Sequence, residues 1–127
     1  MRTAAAALTL VLLAGCGSSS SAVERDLRRG MTQIRITHDA KTLRAELRGT
    51  LAKLERDPAS GSAERRAQAL AIRGLEATLT GLESQIAFYA NDSGNIEAAT
   101  RDALRADRNR AKGARLLRAA SRALDGR

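Results

Sequence analysis

Apolar residues in this 127-residue chain recur three and four apart through three long stretches, separated by only a few clusters of turn-forming residues. That spacing draws one apolar stripe along an α-helix. The clearest stretch holds Ile72, Leu75, Leu79, Leu82, Ile86 and Tyr89, a coiled-coil-like seam that faces partner helices. A thinner seam follows at Ile96, Ala99, Ala103, Ala106, Leu117, Ala120 and Leu124. Its alanines permit close packing but bury little area each. Arg110 and Gly113 interrupt it. A core-facing Arg110 needs a carboxylate such as Asp39 or Glu76; otherwise it lays its stem along the core and carries its charge to the edge.

The first stretch changes phase. Ile36, Ala40, Leu43, Leu47, Leu51 and Leu54 form a continuous stripe, whereas Val23, Leu27, Met31 and Ile34 fall on roughly the opposite side. Around the change, Gly30, Thr32, Ile34, Ile36 and Thr37 are mediocre helix formers. The expectation is a kink or break between Gly30 and Asp39. The alternative is a straight helix whose first third turns its apolar strip outward, flanked by Arg25, Arg28, Arg29 and Arg35, as a segment able to lie on a membrane.

Turn residues cluster at positions 18–21, 57–62 and 91–95. The stretches between them lack internal proline and are rich in Ala, Leu, Arg and Glu, as helices require. Ser21 with Glu24, Ser62 with Glu64, and Asn95 before Ile96 and Glu97 supply start signals. The pattern predicts an all-α fold: helices over residues 22–57, 62–91 and 95–125, packed as an antiparallel three-helix bundle with long helices, roughly 45 Å in length. The chain suffices for one domain.

Residues 1–15 stand apart from that domain. One positive charge at Arg2, an apolar run from Ala4 to Leu12 and small residues before Cys16 have the make-up of a signal peptide, and the run is too short to span a bilayer. Leu13-Ala14-Gly15-Cys16 resembles the lipobox of bacterial lipoproteins. The resemblance covers residues 1–16 and implies cleavage before Cys16, diacylglyceryl attachment to its sulfur, with acyl chains such as palmitate, and a Cys16 amine as the new terminus. It further implies an extracytoplasmic protein anchored in a membrane, with residues 16–21 as a flexible tether. Gly17, where an aspartate is absent, is similar to the outer-membrane sorting pattern if the host has two membranes.

Charge then narrows the partners. Loss of residues 1–15 removes Arg2 and leaves 21 basic and 14 acidic side chains, a net +7, which favours anionic surfaces. Arg101, Arg105, Arg108, Lys112, Arg115 and Arg122 recur by three, four or seven and share one helix face, a candidate strip for anionic lipid or wall polymer. Nucleic acid is not expected, because Phe88 and Tyr89 are the only aromatic residues available for stacking. A second candidate surface is the uncharged face of the middle helix, where Leu70, Gly74, Ala77, Gly81 and Phe88 suit self-association or an envelope protein partner. Cys16 is the single cysteine, so no intramolecular disulfide forms. No catalytic constellation is legible. His38 is alone, Glu76 and Glu83 are helix-surface acids roughly 10 Å apart by helical rise, and phosphate loops, nucleophile motifs and zinc spacings are absent. The expectation is a lipid-anchored structural or binding module without enzymatic activity, cofactor or metal.

Overall fold

Capping side chains set the helix boundaries. Ser21 accepts a hydrogen bond from the Glu24 amide at 3.2 Å and opens α1, Ala22–Ile36. Asp39 accepts from both the amide and the hydroxyl of Thr42, at 2.8 and 2.6 Å, and opens α2, Ala40–Arg56. Gly61, at φ 78°, makes the turn into α3, Gly61–Ala90, where the Glu64 carboxylate accepts from the Ser60 amide at 2.9 Å. Asn95 accepts from the Ala98 amide at 3.1 Å and opens α4, Ile96–Asp125. Each cap satisfies an amide that has no partner within the helix. The computed structural model describes residues 20–126, and these fold as helices without strands. Residues 1–19, including Cys16 and the lipobox, lie outside the described residues.

The fold is all-α, and the break expected between Gly30 and Asp39 falls at residues 37–39, so the stretch over residues 22–57 is two helices and the bundle has four. The reversal at residues 37–39 is what the phase change requires. Once the chain folds back, both apolar stripes face the same core. Thr50 donates to the Gln33 side chain at 2.7 Å and Thr37 to Glu46 at 2.9 Å, which fixes α1 and α2 as antiparallel neighbours. Val23 and Leu27 are 0% and 2% exposed, so the straight helix with an outward strip does not occur.

α2 packs on α3, and its end is stitched there by the Gln68 amide, which donates to the carbonyls of Leu54 (2.6 Å) and Asp57 (2.9 Å). α3 returns along α4, and α1 touches both of them, whereas α2 does not reach α4. The result is an up-down-up-down arrangement around Leu27, Leu43, Leu47, Leu54, Leu75 and Leu82. Each such leucine contributes about 1.5–3 kcal/mol relative to exposure. The long helices have 30 residues each and the short ones 15 and 17, so the α3–α4 hairpin extends past its neighbours. Tyr89 and Ile96, expected in the seams, lie at the connected end of that hairpin and are 75% and 80% exposed.

The tightest junction is between α3 and α4. A Cβ on Gly74 would lie 2.9 Å from Leu117 Cγ, one on Gly81 would lie 2.7 Å from Arg110 Cγ, and one on Gly113 would meet the Gly74 carbonyl at 2.8 Å and collide with Thr78 Oγ1. Backbones approach this closely only where side chains are absent. Gly49, on the outside of α2, has nothing within 4 Å. Gly113→Ala is expected to destabilise the protein by about 1–3 kcal/mol through overpacking. Gly49→Ala is expected to stabilise it by about 0.5–1 kcal/mol by restricting the unfolded chain. Urea unfolding of the two variants checks both signs.

Candidate anion-binding face

The contact that buries one side of α4 commits the other to solvent. Ala106, Gly113, Leu117, Ala120 and Leu124 turn inward and are buried. On a helix of 3.6 residues per turn, Arg101, Arg105, Arg108, Lys112, Arg115 and Arg122 then point away from the bundle. All six are exposed. Along the axis the first five follow one another by about 4.5 or 6 Å, at 1.5 Å per residue. Between them runs an open trough of about 720 Å³, lined by Arg101, Arg105, Arg108, Lys112 and Arg115, with Leu104 and Ala111 along one side.

Among the described residues, the side chains of this row form no ion pair. Among the described residues, the ion pairs are Arg28 with Glu24 at 2.6 Å and Arg48 with Glu83 at 3.1 Å, neither of them on α4. A row of cations that outnumbers the acids beside it, Glu97, Asp102 and Asp107, raises the local concentration of anions, and guanidinium groups grip phosphate or carboxylate oxygens in pairs. Leu104, 51% exposed within the trough, was not legible as part of the site. It breaks the seam spacing of its helix, and that departure is the signal that points to it.

Arg110 does not join the row. Its stem crosses Gly81 and its head donates to the Gln85 side chain at 3.0 Å, so it reaches the edge of the bundle without Asp39 or Glu76. The second candidate surface is corrected by the same packing. Gly74, Ala77 and Gly81 are buried, with α4 of the same chain against Gly74 and Gly81, and Leu70 is partly buried against the core. That face is therefore filled from within. Phe88 lies beyond it, edge-to-face with Tyr89 at a centroid distance of 5.3 Å.

His38 sits exposed in the α1–α2 turn, beside an open hollow it shares with Lys41, Gln85 and Tyr89. No group of three His, Cys, Asp or Glu side chains among the described residues is placed to hold a metal ion. No helix among them is long and apolar enough to cross a membrane. No protein-family model, curated protein or solved structure matches this chain.

A pair of carboxyl groups that sequence reasoning missed lies at the other end of the molecule, where α2 ends beside α1. Burial pushes the Asp57 carboxyl up to about 6, helped by a hydrogen bond with Asp26 and by that group's charge; Arg25 and Arg56 act the other way. One Asp57 oxygen is shut off from solvent with no donor facing it, so the bond to Asp26 exists when the pair holds a proton. Because the folded value lies above the ordinary 3.8, the fold retains a proton that the unfolded chain has released. This contribution to stability is complete below about pH 4 and is lost as pH rises through 6. The wild-type melting temperature is expected to fall across that window relative to Asp57→Asn, a comparison that thermal melts at matched pH provide.

Proposed function

We propose that this protein is a lipid-anchored module of the bacterial cell envelope that binds an anionic lipid surface or wall polymer through the outer face of α4. The observation that carries the reading is the row of exposed, unpaired basic side chains on an unbroken helix. The lipobox-like Leu13-Ala14-Gly15-Cys16 supplies the location. Two acyl chains suffice for stable anchoring, since each buried methylene contributes about 0.8 kcal/mol. Anchoring at the N-terminus then leaves the bundle to meet whatever anionic material surrounds the membrane. Such binding draws on charge and is weakened by salt.

The second reading, an adaptor that pairs with another envelope protein or with itself, loses the glycine-lined face of α3 on which it rested. What remains for it is the end of the α3–α4 hairpin, where Phe88, Tyr89 and Ile96 are exposed.

Two measurements test the proposal. Mass spectrometry of the protein from a bacterial membrane fraction is expected to show a chain that begins at an acylated Cys16. Cys16→Ser is expected to leave the mass of the unacylated chain and a soluble product. Co-sedimentation of residues 20–127 with phosphatidylglycerol vesicles or purified wall polymer is expected at low salt and lost near 0.5 M. The triple change Arg101→Gln, Arg105→Gln and Arg108→Gln is expected to weaken binding by at least about tenfold, from the counterions released per contact. Failure to bind at low salt would remove the functional role of the row.

A further inference from the structure

Five of the eight basic side chains of α4 form a single file, and the geometry of that file selects among anionic partners. On the helical wheel, Arg101, Arg105, Arg108, Lys112 and Arg115 lie within about 40° of one line, at 100° per residue. Asp102 and Asp107 stand about 100° and 120° from the line, on either side of it, with Arg118 about 100° away on the side of Asp107 and Glu97 about 40° away, one turn before Arg101. A bilayer meets a strip wider than one side chain, so its phosphates lie within a Debye length of about 8–10 Å of those flanking acids. It also rewards exposed apolar area, of which this face has only Leu104 and Ala111 beside the trough. A single polymer strand seated from Arg101 to Arg115 lies directly on the cations, with the flanking acids farther from it than they are and Glu97 beyond its Arg101 end.

Spacing points the same way. The five charges cover about 21 Å, one every 4.5–6 Å. A polypeptide residue has three backbone bonds and spans at most about 3.3–3.6 Å, so a repeat of six backbone bonds, such as a three-carbon polyol joined by phosphodiesters, spans at most about 7 Å. Modest coiling brings its phosphates into step with one basic side chain each. Four of the five cations are arginines, whose planar fork takes two oxygens of one phosphate. Bases add nothing here, since neither Phe88 nor Tyr89 lines the trough.

We infer that the ligand of the α4 face is a linear polyol-phosphodiester chain, bound lengthwise with about one phosphate per basic side chain from Arg101 to Arg115. The inference rests on the anion-binding reading above and specifies its partner. The test measures anisotropy of a labelled glycerol-phosphate hexamer as full-length protein is added. Unlabelled dimer and hexamer, oligothymidylate and phosphatidylglycerol vesicles then compete, each counted by accessible phosphate. A further variant, with Arg105→Gln and Arg108→Gln combined with Thr100→Arg and Ala111→Arg, keeps the net charge but moves two cations out of line. Thr100 and Ala111 are exposed, so the exchange spares the core.

The expected result is that the hexamer competes best, the dimer poorly and the vesicles poorly. At 0.1 M salt the rearranged variant is expected to bind about 25-fold more weakly, from roughly 0.7 log units per lost contact. Equal competition by vesicles, tighter binding of oligothymidylate, or unchanged affinity of the rearranged variant would overturn the inference and leave the anion-binding reading standing. No binding to either hexamer or vesicles at low salt would overturn both.

Discussion

The backbone of α4 lies against that of α3 because Gly74, Gly81 and Gly113 present no side chains where the two helices meet, and the rest of the molecule is arranged around that approach. With Gly113 seated on the Gly74 carbonyl and Thr78, the small side chains Ala106 and Ala120 are enough to close the junction. The two 30-residue helices become one long hairpin. Thr78, buried at the crossing, directs its hydroxyl back to the Gly74 carbonyl at 2.9 Å, so no polar group is left without a partner there. α4 has no further apolar demand to satisfy beyond its contact with α1, which is why its whole outer side is free to carry charge.

The short helices supply half of the large buried apolar side chains, although they hold little more than a third of the helical residues. α1 and α2 bring Val23, Leu27, Leu43, Leu47 and Leu54 onto the flank of the hairpin and cover only part of its length. Here too a glycine sets the spacing. A Cβ on Gly30 would lie 3.2 Å from Leu75 Cδ2 and 3.5 Å from Thr50 Cγ2, so α1, α2 and α3 converge at a point with little room. Leucines from all four helices drive burial, while Gly30 and the glycines and alanines of the α3–α4 junction govern distance.

How much of this was legible in the sequence follows from what each pattern depends on. The all-α fold, the turns and the caps at Ser21 and Asn95 depend on local spacing and were readable. The phase change around Arg35 was readable as a discontinuity, but its resolution into two antiparallel helices needed the partners of Thr37 and Thr50, which are set by tertiary packing. The small residues Gly74, Ala77 and Gly81 were recognised as a close-approach face. Enclosure within the bundle and a second molecule both fit that pattern, because matching it to Gly113 and Ala106 requires the register of α3 against α4. The exposure of the α4 row was readable from spacing alone, since an apolar seam on one side of a helix dictates what the other side presents. Leu104 in the trough and the Asp26–Asp57 pair were not, because each is defined by neighbours that the sequence does not place.

The account turns on α4 serving two masters through opposite faces, one held by α3 and the other open to anions. Side-chain NMR of the arginine Nε–H groups, recorded as a glycerol-phosphate oligomer is added at low salt, observes that division directly. The account predicts shifts at Arg101, Arg105, Arg108 and Arg115, with Arg110 and the α1 arginines Arg25, Arg28 and Arg29 unchanged. Shifts of similar size on α1, or spread over all arginines alike, would contradict it.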